Sequence, residues 1–306
     1  EIEQLGRDAL EFALFSLKLF GDVVLKNSDY VNLILGDTYV HRTYNMGTVD
    51  AANCVNFYDG QIRVVGPDGK EHAKYHARDY REYVEERVEP WSYLKFPYLK
   101  KIGWKGFVDG VDSGVYKATP LSRLNAADGM ATPLAQAEYE RFYETLGGKP
   151  VHHTLATHWA RLIELLYATE RWLELAADPE ITSKEYRVLP TQTPTEGVGS
   201  VEAPRGTLTH HYATDERGIL TQVNLIVGTT NNNAPISMSV KKAAQGLIRK
   251  GQPVTEGLLN MVEMAFRAYD PCFGCATHSL PGRMPLEVRL RDAAGRVVER
   301  FSQFLK

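Results

Sequence analysis

Cysteine is scarce in this chain: three in 306 residues, an odd count and too few for a disulfide scaffold, which favours a reducing cytoplasm. Long apolar runs are missing too. Glu11, Lys18 and Asp22 interrupt the best candidate, LEFALFSLKLFGDVVL, well short of the roughly 18 uncharged residues that a membrane span needs. Charge of one sign is absent, and a formal net charge of −3 gives no bulk attraction for nucleic acid or an anionic membrane. The opening EIEQLGRDALEF is acidic and lacks the basic-then-apolar layout of a secretory leader. It starts on Glu1, without a Ser, Asp or Asn helix cap, so we expect the native N-terminus to be missing. No internal repeat and no low-complexity linker interrupts the chain. What remains is ordinary for a soluble globular protein, with 43% apolar and 24% charged residues and enough length for one large domain or two smaller ones.

Periodicity gives the elements. Leu5, Phe12, Phe15, Leu19 and Val23 are spaced to share one face of a helix over residues 1–26. NFYDGQIRVVGPDGKEHAKY reads as short strands around the turns Asp59-Gly60 and Asp68-Gly69. The Gly-, Tyr- and Lys-rich stretch from Ser92 to Met130 has no clean period and reads as an ordered excursion over a helical body. Helix returns in LAQAEYERFYETLG and in the long, largely apolar TLATHWARLIELLYATERWLELAAD, which should be central. GTLTHHYATDERGILTQVNLIVG predicts a hairpin about Asp215–Gly218, TEGLLNMVEMAFRAYD a helix capped by Thr255, and PLEVRLRDAAGRVVERF a last hairpin. The expected fold class is mostly α (α+β), a central long-helix bundle carrying small antiparallel hairpins.

Two of the three cysteines stand in Asp270-Pro271-Cys272-Phe273-Gly274-Cys275-Ala276-Thr277-His278. The C-x-x-C spacing lets two thiolates converge on one ion or one partner sulfur. A thioredoxin-like disulfide needs a strand before the pair and a helix opening at it; here a helix precedes the pair and Pro271 stops it. A structural zinc site would use Cys272, Cys275 and His278, with Cys54 or one of His152, His153, His158, His210 and His211 as fourth ligand. Two inert buried cysteines are the plain alternative. The histidines themselves argue against sharing an ion: His158 lies five and six positions from His153 and His152, not one helical turn, and His210 and His211 alternate across a strand. Cys54 in AANCVNF reads most simply as a small buried residue.

In its full form, RAYDPCFGCATH resembles the C-terminal D-P-C-x-x-C-x-x-H motif of the large subunit of nickel–iron hydrogenases. Three more stretches resemble that family in order: the Ser92–Asn125 segment ending in PLSRLN, then VEAPRGTLTHHY, then LIVGTTNNNAP with Gly228 where proline is usual. The form around the cysteines is most similar to the cytoplasmic group that works beside heterodisulfide reductase or reduces a deazaflavin coenzyme. The resemblance implies Cys272 as a terminal nickel ligand and Cys275 as the nickel–iron bridge, a choice soft thiolates suit. It implies Arg205 above the metal pair, Asp270 fixing that arginine, Pro204 shaping the same canopy, and Thr229 bonding to a cyanide on iron, whose other expected diatomic ligand is CO. His278 is implied as a magnesium ligand and as the mark where a maturation protease cuts.

The same resemblance divides the chain into a partial large-subunit domain, 1–278, and a removable tail, 279–306. It implies an iron–sulfur small subunit to take the electrons, with heterodisulfide reductase or flavin- or deazaflavin-linked acceptor subunits beyond it. It fails at one place. The family's N-terminal R-x-C-G-x-C segment and its glutamates are absent, so we expect the C-terminal part of a longer or split large subunit. The rivals are a metal-free scaffold like the quinone-site subunit of respiratory complex I, and the zinc protein above.

Overall fold

The computed structural model describes residues 1–272 and 286–303. α1 (Ile2–Phe20) runs into a π-helical turn and is followed by α2 (Ser28–Leu35). Next come β1 (Tyr44–Val49), β2 (Cys54–Val55), β3 (Gln61–Val65) and β4 (Glu71–Tyr75). The short α3 (Tyr80–Tyr83) leads into β5 (Val84–Val88), β6 (Lys95–Leu99) and β7 (Tyr116–Lys117). α4 (Pro120–Ala126), β8 (Gly129–Met130), α5 (Pro133–Thr145) and α6 (Thr157–Ala177) form the middle of the chain. β9 (Glu196–Ala203), β10 (Gly206–Thr214) and β11 (Leu220–Ile226) precede α7 (Asn233–Leu247) and α8 (Glu256–Arg267). β12 (Leu286–Arg291) and β13 (Val297–Gln303) pair as the last hairpin.

The helices named from periodicity are present. α6 buries Trp159, Ile163, Leu166 and Tyr167, and Trp159 meets Phe142 of α5 edge-on at 5.2 Å. Thr255 caps α8 by accepting the Leu258 N–H. No helix among the described residues is long and apolar enough to cross a membrane.

Three features differ from the sequence reading. First, the architecture is less helical than expected. A six-stranded mixed sheet runs β4-β3-β1-β2-β8 with β7 also paired to β1, and its β1–β7 and β2–β8 pairs are parallel. β1 lies between β2 and β3, so the Asp59-Gly60 turn joins strands on opposite sides of it instead of closing a hairpin. Such pairings join short, distant segments and leave no local pattern.

Second, the Ser92–Met130 stretch is not an excursion over the body. It ends in α4, where every residue from Pro120 to Ala126 is buried. A helix enclosed on all sides shows no amphipathic period. α4 lies close on β1, where a Cβ on Gly47 would come within 2.8 Å of the Arg123 Cα. Third, α1 forms, but Leu5, Phe12, Phe15, Leu19 and Val23 are exposed; the face packed on the protein carries Gly6, Ala13 and Leu17. Small side chains let this helix approach α6 closely, so size, not hydrophobicity, chose the face.

Candidate metal centre

Three parts of the chain meet at one point: the β9–β10 turn with Pro204 and Arg205, the segment after β11 with Thr229, and the end of α8 with Asp270 and Cys272. Arg205 Nε lies 3.1 Å from Asp270 Oδ2, and the same Nε donates to the Asp270 backbone carbonyl. The side chains stay partly open, at 37% and 49% exposure. Asp270 has φ +50°, a left-handed conformation that an L-residue adopts at a cost and that Asp tolerates better than most. That bend turns the chain sharply off α8 before Pro271 and aims Cys272 at the β11 segment. There the Cys272 N–H donates to the Thr229 hydroxyl oxygen at 3.1 Å.

Thr229 is held in turn, its carbonyl accepting the Asn232 N–H at 2.9 Å. The Arg205 carbonyl accepts from Asn232 Nδ2 at 2.7 Å, while Asn232 Oδ1 accepts the Ala118 N–H at 2.9 Å. The two segments nearly touch at their glycines: a Cβ on Gly206 would stand 2.3 Å from the Gly228 carbonyl oxygen. Gly228 is the position where the resembling family usually has proline, and a Cβ there would sit 3.1 Å from the Gly206 nitrogen.

Arg205 thus meets Asp270, and Cys272 meets Thr229, with Pro204 next to Arg205 in the chain. Cys275 and His278 lie outside the described residues. Among the described residues no group of three or more His, Cys, Asp and Glu side chains is placed to hold an ion. The histidines of the zinc reading have separate partners: His211 contacts Glu196 and the Tyr80 hydroxyl, His210 the Tyr212 hydroxyl, and His152 the Pro67 carbonyl. Cys54 is half-buried in β2, with its thiol pushed up by burial.

Sequence reasoning missed a buried charge cluster behind this point. Arg123 on α4 grips Glu164 of α6 through Nε and Nη2, both at 2.5 Å, and Glu202 of β9 through Nη1 at 2.9 Å. Burial works to lower the Arg123 pKa, but the two carboxylates outweigh it and hold the guanidinium protonated. Burial raises the Glu164 pKa, with Arg123 opposing. A second arginine, Arg161, is also pushed down by burial and sits one helical turn before Glu164. The signal was present: charges in apolar words, one in PLSRLNAA and two in ARLIELLYA, must find partners when buried.

Residues 35–278 match the family described as nickel-dependent hydrogenase. The chain belongs to that family. Over 99% of its length it is 48% identical to an iron-sulfur subunit of the F420-non-reducing hydrogenase of Archaeoglobus profundus. Over 95% it is 40% identical to the beta subunit of the NAD-reducing hydrogenase HoxS of Cupriavidus necator. It spans 62% and 57% of the lengths of these two relatives. Its fold overlays the crystal structure of an NAD+-reducing [NiFe]-hydrogenase in the H2-reduced state with a TM-score of 0.80 and 36% identity, covering 90% of this chain and 58% of that one. Nickel-dependent hydrogenase membership favours the hydrogenase reading of the cysteine segment over the zinc site, and the relatives fall in the group that the motif form suggested.

Proposed function

We propose that this chain is the metal-holding portion of a nickel–iron hydrogenase large subunit, within a complex that interconverts H2 with two protons and two electrons. The observation that carries the reading is that Asp270 holds Arg205 while Cys272, two residues further on, donates its N–H to Thr229. A metal-free scaffold has no need for an exposed arginine–carboxylate pair beside a thiol.

The residues fit the group. Cys272 offers a soft thiolate, suited to nickel, and Cys275 is proposed as the bridge to iron. The Thr229 oxygen accepts from Cys272 through a lone pair, so its own O–H can donate to an anionic diatomic ligand such as cyanide. When bound, a nickel–iron centre carrying CO and cyanide supplies the Lewis-acidic site for heterolytic splitting of H2. The Cys272 thiolate would be the base that holds the proton. Arg205, permanently charged and tied by Asp270, would orient the approach of H2. Pro204 closes the canopy over the same space.

Electrons would leave through an iron–sulfur small subunit, then through heterodisulfide reductase or a flavin- or deazaflavin-linked subunit in the cytoplasm. The exposed apolar side chains of α1 support burial of that face in a larger assembly. His278 is proposed to hold magnesium and to mark the cut that releases residues 279–306 as a maturation tail. Elemental analysis of the purified native complex tests the reading. Equal nickel and site iron, both lost with H2 uptake in Cys272→Ser, is the expected result; zinc in their place, or retained uptake in the variant, overturns it.

A further inference from the structure

The Arg205–Asp270 pair is too open to hold itself in place, since an exposed ion pair contributes about 0–1 kcal/mol. Both backbones that deliver it are nevertheless tied to one rigid element. On one side, Glu164 of α6 grips Arg123, and Arg123 donates through Nη1 to the Ala203 carbonyl at 2.8 Å and through Nη2 to the Pro204 carbonyl at 3.4 Å. These are the two peptide groups immediately before Arg205. On the other side, Arg161 of α6 donates through Nη2 to the Ala268 carbonyl at 3.0 Å, two residues before Asp270. Ala268 is the C-cap of α8, where a cation also suits the helix dipole. A cavity of about 260 Å³, lined by Arg123, Arg161, Glu164, Glu202 and Pro204 among others, lies between the two arms.

We propose that α6 is the positioning element for the Arg205–Asp270 pair: Glu164, through Arg123, sets the arginine half, and Arg161 sets the aspartate half. This rests on the reading of Arg205 and Asp270 as groups beside the reacting metal. Glu164 and Arg161 are positioning residues and touch neither partner of the pair's own contact. Their spacing of three puts both on one face of a single helix, so the two halves share one frame and cannot drift independently. Glu202 holds Arg123 as well, through Oε2, and its Oε1 accepts from Thr48 N, Thr48 Oγ1 and Thr207 Oγ1, which ties β1 to β10.

Hydrogen exchange read by mass spectrometry, with H2 turnover per nickel, tests this in the assembled complex. Glu164→Gln keeps the shape and removes the charge; exchange should quicken in the peptide covering 203–206 while the β1–β3 peptides stay unchanged. Arg161→Lys should quicken exchange at 268–272. In both, turnover per nickel should fall on the order of tenfold to a hundredfold with KM for H2 unchanged, the pattern of a misplaced group. Glu170→Gln, on the same helix but capping α5 through Leu134 N and Ala135 N, should move neither peptide. Unchanged exchange at both peptides, or a uniform rise across the chain tracking loss of melting temperature, overturns the proposal. Because exchange needs no turnover, a wild-type complex without H2 activity would sink the functional reading and leave the positioning role to be decided by exchange alone.

Discussion

Arg205 and Asp270 stand 65 positions apart in the chain and meet at 3.1 Å, with the arginine Nε serving both the carboxylate and the backbone carbonyl of the same aspartate. One guanidinium therefore reads the side chain and the bend of the chain together. The bend is the left-handed Asp270 at φ +50°.

Asp270→Asn isolates the charge, because Asn also tolerates positive φ and leaves the backbone acceptor in place. Trading a charge-assisted bond for a neutral one removes about 1 kcal/mol, so nickel content should hold while turnover falls about fivefold. Arg205→Lys should behave alike, since an ammonium held at Asp270 lacks the planar guanidinium fork that extends beyond that contact. Nickel analysis beside H2-dependent dye reduction separates the cases; loss of metal in either variant would mean that the pair builds the site.

Thr229→Val removes the acceptor for the Cys272 N–H without changing side-chain shape. An unmade hydrogen bond of this kind costs about 1–3 kcal/mol where water cannot replace it. Alkylation of Cys272, quantified by peptide mass, should accelerate in the apo-protein, and Thr229→Ser should restore the wild-type rate. Equal rates in all three proteins would deny the threonine a role in holding the cysteine segment.

Gly206→Ala should destabilise the protein by roughly 1–3 kcal/mol or more, because its Cβ would stand 2.3 Å from the backbone oxygen of Gly228 and backbone cannot rotate away. Gly199→Ala, on the neighbouring strand β9 with nothing within 4 Å of the new Cβ, is the matched control and should stay within about 0.5 kcal/mol. Urea midpoints decide it; similar midpoints for the two variants would mean that the β10 and β11 segments are free to part.

Acid should weaken the fold through buried histidine. Burial first, and then Lys117, push the His152 pKa from 6.5 down to about 4. The folded form thus refuses a proton that the unfolded chain accepts. Its stability contribution is complete above pH 6.5 and is lost as pH falls toward 4, about 3 kcal/mol across that window. His41, His153 and His158 are pushed the same way by burial. Unfolding free energies at pH 7.5, 6 and 5 should fall less steeply in His152→Gln than in the wild type. Parallel slopes would place the acid sensitivity elsewhere.

Much of the candidate site was legible because it is written in short words. Asp270 and Cys272 share one, Pro204 and Arg205 another, and Thr229 a third, each local enough to be read without a fold. α6 was legible as a long, largely apolar run, and α8 from its Thr255 cap. α4 was not, since burial on every side erases the period. Nor was the sheet, whose strands β2, β7 and β8 are two residues long and find partners far along the chain. The Arg123 cluster stayed hidden because its partners lie 41 and 79 positions away.

By itself, then, the sequence determined the chemistry on offer: which side chains can ligate, donate or carry charge, and which helices have a face to bury. Those properties belong to residues and their near neighbours. Only the tertiary structure decided that Arg123 answers to Glu164 and Glu202, and that α1 buries Ala13 and leaves Phe12 exposed. The reason is that a contact's energy depends on distance in space, and one helix turned by half a revolution offers the same sequence and a different surface.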